Sequence, residues 1–153
     1  MAVNPNITFV AGAILTAAQM NRLPWGVMGY ATKTTTQTGI TTAATDITSL
    51  TVTFTANTLR VYRTTIYALV QQNTSSGAPN LTITDTSNVI KATNESNIAS
   101  ASNYLGFTLS VVETGLSGST VRKARAQTNA NTCSVLGAAT YPAFILVEDI
   151  GQA

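Results

Sequence analysis

The 153-residue sequence predicts an all-β fold, an antiparallel β-sandwich of jelly-roll-like type, led by an extended N-terminal arm that contains one short helix. Three observations carry this expectation. Apolar and polar residues alternate at a period of two along several runs, the pattern of a strand with one buried face. The runs are short and recur every roughly 8–15 residues between turn-forming segments, as they do in sandwiches and barrels. Charged residues make up only 9% of the chain, against about 25% in ordinary soluble domains. Thr, Ser and Asn take their place, and the branched Cβ of Thr suits a pleated surface.

Residues 1–30 differ from the rest and read as an arm. Ile7-Thr8-Phe9-Val10-Ala11-Gly12 is extended and apolar. In Leu15-Thr16-Ala17-Ala18-Gln19-Met20-Asn21, Thr16 can cap a helix and Gln19 stands three residues on, which is a capping box. Leu15 before the cap and Met20 after it are spaced as a hydrophobic staple, and Pro24 ends the helix. A helix this short does not hold itself together in water. Phe9, Val10, Ile14, Leu15, Met20, Leu23 and Trp25 are therefore the candidate attachment residues, too apolar to be left in solvent.

Residues 31–153 read as the β-domain. Thr32 to Thr38 is an exposed strand or linker. Leu50, Val52 and Phe54 alternate with threonines, and Ala56-Asn57-Thr58 makes a turn. Leu59 to Gln71 is apolar on both sides, as in a central strand. Leu81 and Ile83, then Val89-Ile90, flank a turn at Asp85, and residues 93–103 read as a polar loop. Leu105, Phe107, Leu109 and Val111 alternate most clearly, and strands over 121–127, 132–136 and 143–147 complete the set. The expected core comprises Leu50, Val52, Phe54, Val61, Leu69, Phe107, Leu109, Val111, Phe144 and Leu146. Tyr62, Tyr67, Tyr104 and Tyr141 fall in strand patterns and are expected to pack there.

The chemistry available is narrow. There is no histidine, so the commonest general base and metal ligand are missing, and no Ser/His/Asp or Cys/His set can form. The single cysteine, Cys133, sits in a strand-like run and reads as a buried thiol. Glu148-Asp149 is the obvious carboxylate pair, but neighbours on a strand point to opposite faces, and it reads as a strand-end turn. No phosphate loop, metal cluster or dinucleotide fingerprint is present. These features point away from an enzyme and from any cofactor. Net charge is +2, and the one basic cluster, Arg122, Lys123 and Arg125, reads as the solvated face of a strand rather than a nucleic-acid site. No run approaches the roughly 20 apolar residues of a membrane span, and the start lacks the basic region of a signal peptide.

Two segments resemble a known family. Phe9-Val10-Ala11-Gly12-Ala13-Ile14-Leu15-Thr16-Ala17-Ala18-Gln19-Met20-Asn21, followed by Pro24-Trp25-Gly26, is similar to the opening of small structural proteins of tailed bacteriophages, with Met20 where Leu is usual. Tyr141-Pro142-Ala143-Phe144-Ile145-Leu146-Val147-Glu148-Asp149-Ile150-Gly151 resembles their C-terminal strand. The resemblance covers both ends, and the middle only by pattern. It implies a virion protein, assembled in the host cytoplasm, whose N-terminal element attaches it to other tail or capsid proteins. A minor tail or fibre position is slightly preferred over capsid decoration. Low surface charge and the resemblance together lead to the expectation of a homo-oligomer, with a trimer as the best guess. The alternative is a module that binds a host-surface glycan or receptor.

Overall fold

The computed structural model describes residues 17–20 and 22–153. Among them are ten strands: β1 (Gly26–Lys33), β2 (Gln37–Ile40), β3 (Thr45–Ala56), β4 (Arg60–Gln72), β5 (Pro79–Thr84), β6 (Ile90–Glu95), β7 (Tyr104–Glu113), β8 (Gly118–Thr128), β9 (Cys133–Leu136) and β10 (Ala143–Gln152). The protein is all-β and every strand pairing is antiparallel. The arm helix expected from the cap at Thr16 and the staple from Leu15 rests on residues outside the described set. The single turn Ala17–Met20 does not by itself establish it.

The strands form two sheets. In the six-stranded sheet, β4 is the centre. β7 runs along one side of it, and β10 followed by β9 runs along the other, with β1 beyond β10 and β2 beyond β9. The four-stranded sheet has the order β3-β8-β5-β6. With the short β2 and β9 set aside, the winding is nested. β1 pairs with β10, β3 with β8, β4 with β7, and β5 with β6, so the chain is one long hairpin wrapped around a core.

The sheets curl toward each other at both flanks. On one side β1 lies against β3 so closely that a Cβ on Gly29 would stand 2.2 Å from a methyl of Val52. Only a residue without a side chain permits that approach. On the other side the Asn94 amide of β6 donates to the Thr108 carbonyl of β7 at 3.5 Å. Between the sheets lie Leu50, Val52, Phe54, Tyr62, Ile66, Ile83, Phe107 and Ile145 in one cluster. Phe54 and Tyr62 meet with ring centroids 5.2 Å apart. The Tyr62 hydroxyl, taken out of water, accepts from the Asn57 amide at 2.9 Å. Cys133 is buried here, and burial pushes its thiol up to about 11.

Several expectations need correction. Residues 26–30, assigned to the arm, are the first strand of the domain and pair with β10. Thr93–Glu95, read as loop, continues β6 against β5. Leu69, Phe144 and Leu146, taken as core, lie on the outer face and are only half-buried. The core face of β4 is Tyr62, Ile66, Ala68 and Val70, and that of β10 is Ala143, Ile145 and Val147. Both strands carry large apolar groups on both faces, and in a period of two a one-residue slip exchanges the faces. Val111 packs only partly against the cluster.

This register predicts unequal costs for two phenylalanines. Phe107→Ala is expected to lose about 3–5 kcal/mol of unfolding free energy, the usual result of emptying a core site. Phe144→Ala is expected to lose much less. Urea unfolding of both variants checks this, and equal losses would contradict the assignment of faces.

Candidate attachment site

The arm meets the domain at one end of the six-stranded sheet, where β1, β4 and β10 come together. Arg60 begins β4 and Asp149 lies near the end of β10. Both point to the inner side, and their side chains are 3% and 0% exposed. Arg60 Nε donates to Asp149 Oδ2 at 2.6 Å, and Arg60 Nη2 donates to Asp149 Oδ1, making a two-pronged contact. A forked guanidinium–carboxylate pair is among the stronger charge-assisted hydrogen bonds. Asp149 Oδ1 also accepts the Gly151 amide at 3.0 Å, where a bulge interrupts the β10–β4 register.

The last residues of the arm are tied to this pair. Arg60 Nη2 donates to the Leu23 carbonyl at 2.7 Å. The Trp25 amide donates to Asp149 Oδ1 at 3.4 Å. The Trp25 ring covers the guanidinium, with Arg60 Cζ 4.4 Å from the ring centroid, a cation–π contact. Trp25 as a whole is 54% exposed. Pro24 lies between the two tied residues and fixes the backbone there.

Of the seven candidate attachment residues, Met20, Leu23 and Trp25 are described, and all three are exposed. Phe9, Val10, Ile14 and Leu15 lie outside the described residues. Leu23 and Trp25 are bonded to the protein's own domain, so the root of the arm is fixed there. The sequence reading missed Arg60 and Asp149. Asp149 is no turn residue, for it continues the inward set Ala143, Ile145, Val147 at the same parity. Extending the alternation by two residues would have found it.

The other charges are also placed. Arg122, expected on a solvated face, is 3% exposed and holds Glu113 through two hydrogen bonds of 2.7 and 2.8 Å, joining the sheets at β7 and β8. Lys123 and Arg125 do face outward and share Asp46. Asp85 forms the expected turn, accepting the Ser87 and Val89 amides, and pairs with Lys91. The shallow cleft between Lys91 and Arg122 is thus lined by cations that already have acids. Glu148 faces outward and pairs with Arg63, on the opposite face from Asp149, as alternation requires. Among the described residues no group of His, Cys, Asp or Glu has metal-site spacing, and no helix is long and apolar enough to cross a membrane.

The tyrosines divide. Tyr62 is core, Tyr67 is half-buried, and Tyr104 and Tyr141 are exposed, which corrects the expectation of packing for these two. The Tyr67, Phe144 and Tyr30 rings form a row on the outer face of the six-stranded sheet, with centroid spacings of 5.8 and 6.0 Å.

No family model matches the chain, and no curated protein matches it. Among solved structures it has a loose likeness to a chain in the structure of the infectious bursal disease virus Gx strain, with a TM-score of 0.32 and 10% identity. The likeness covers 98% of this chain and 46% of that one, so this chain spans under half of its length. At that score it carries no argument here.

Two expectations follow from these charges. Asp149→Ala strands a buried guanidinium and is expected to cost about 3–5 kcal/mol. A loss below about 1 kcal/mol on urea unfolding, the range of an exposed pair, would contradict the burial of this one. Acid sensitivity follows from Asp46, which the Lys123 hydrogen bond, helped by Arg125, holds below the usual carboxylate range. A carboxylate lowered in the folded state contributes stability that is present above its unfolded pKa and is lost as pH falls through the folded one. The thermal midpoint should therefore drop below about pH 4, and less steeply in Asp46→Asn. An unchanged acid limb in that variant would contradict the pairing.

Proposed function

We propose that this chain is a structural protein of a tailed-bacteriophage virion. Its N-terminal arm attaches it to other virion proteins, and its β-domain stands on the particle surface. The observation that carries this reading is the clamp at the arm's root. Leu23 and Trp25 are held on a buried Arg60–Asp149 pair, while Met20, Leu23 and Trp25 keep apolar surface exposed. A segment that is fixed at its root and apolar beyond it can order on a partner and cover a large area of it. The terminal segments' resemblance to phage structural proteins supports the same reading, with a minor tail or fibre position preferred over capsid decoration.

In this reading the nested winding is a β-sandwich of jelly-roll type, an architecture used in viral capsid and lectin domains. That is an argument from fold alone and does not separate the two uses. The copies are expected to assemble with themselves, and no catalytic step is assigned. A second reading, binding of a host-surface glycan, is favoured by the Tyr67–Phe144–Tyr30 row, because sugars stack on aromatic faces.

Deletion of residues 1–24 tests the arm. The truncated protein, which keeps Trp25 and the whole of β1, is expected to fold and stay soluble but to be missing from purified particles when they are analysed by mass spectrometry. Normal incorporation of the truncated chain would contradict an attachment role.

A further inference from the structure

The two outer faces of the molecule differ in kind. On the four-stranded sheet the outward face is largely hydroxyls, amides and bases, as in the pairs Thr51–Lys123 and Asn80–Gln127, though Val121 stands there opposite Thr53 and Ile90 of β6 is exposed. On the six-stranded sheet the outward face carries the Tyr67, Phe144 and Tyr30 row with Leu146 beside it, and Tyr104 and Val112 farther along β7 toward its two ends. Tyr104 is 64% exposed, and Tyr30 and Val112 are each 57% exposed. Thr65, Thr108 and Ser110 interrupt the face, so its apolar part is the ring row with Leu69 and Leu146, and an exposed apolar patch on a folded protein marks a contact site.

The charges on that face indicate what covers it. The strands place one cation and one anion there, Arg63 and Glu148, opposite each other on β4 and β10 with Nη2 and Oε2 2.8 Å apart. The face is neutral and favours neither an acidic nor a basic partner. It is complementary to itself. A second copy, brought face to face, sets its Glu148 against Arg63 and its Arg63 against Glu148. The size also fits. Four strands about 4.8 Å apart, paired over about eight residues of about 3.4 Å each, give a flat footprint of roughly 500 Å² before side-chain relief is added. That approaches the roughly 800 Å² of accessible surface that each partner contributes to a standard interface. The chain's net charge of +2 sets up little repulsion between copies.

We infer that the outer face of the six-stranded sheet is the surface through which copies of this chain assemble, with Arg63 and Glu148 pairing between copies. It rests on the reading above that the copies assemble, and because one face meets the same face across a two-fold axis, it makes the assembly a dimer in place of the trimer expected from the resemblance. Its test is separate from attachment, because it uses the isolated full-length protein.

The experiment is light scattering coupled to size exclusion at tens of micromolar, with far-ultraviolet circular dichroism to confirm folding. The wild type is expected to be a dimer. Arg63→Glu places like charges together within and between copies and should give a folded monomer, since a surface pair adds little to the fold itself. Glu148→Arg should do the same by the opposite charge. The double swap, Arg63→Glu with Glu148→Arg, should restore the wild-type mass. A monomeric wild type overturns the inference, and so does an oligomer that survives both single substitutions. A monomer that binds a glycan array and loses the signal in Tyr67→Ala would overturn it in favour of sugar binding.

Discussion

The pairing of the first strand with the last is the constraint on which the rest of the structure depends. β1 can reach β10 only if everything between them is wound so that both ends return to one sheet. The nested pairs β3–β8, β4–β7 and β5–β6 are what that closure leaves for the intervening chain. The fold is therefore dominated by contacts between residues far apart in sequence, which form late and slowly. It also brings the start of β1 and the end of β10 to one place. Arg60 and Asp149 lock that place, and the arm leaves from it.

Removing one member of a buried ion pair leaves the other's charge buried and uncompensated, so such a pair is fixed in position whether or not it adds net stability. Here the fixed position is the root of the arm. Both ends of the chain use it, since the Ala153 amide also bonds to the Leu59 carbonyl just before β4. An arm that attaches a domain to a particle transmits force and orientation through its root. A root bonded to the central strand of a sheet passes both to the whole domain.

Much of this was legible in the sequence. The alternation in Leu50–Val52–Phe54 and in Phe107–Leu109 gave strands with the correct buried face, because their other face is hydroxyl or neutral. The turn at Asp85 was legible from its residue type. Where reading failed, the physical cause is specific. In β4 and β10 both faces are apolar, since one meets the core and the other is the bare outer face, so alternation could not choose between Ile66 and Leu69 or between Ile145 and Leu146. Arg122 was read as solvated and Asp149 as a strand-end turn because charge usually means solvent, and their partners lie 9 and 89 residues away. Such pairing follows from the winding and has no local signature. The attachment residues Phe9, Val10, Ile14 and Leu15 lie outside the described structure, so their role rests on composition and on the resemblance.

The central claim is that the arm is a docking segment with a fixed root and the domain a self-sufficient body. Amide hydrogen exchange measured on the free protein and on purified particles tests this most directly. The account predicts that residues 1–20 exchange markedly more slowly on the particle than in the free protein, while the core of β4 and β10 is equally protected in both. Equal exchange of residues 1–20 in the two states, or protection gained in the domain alone, would contradict it.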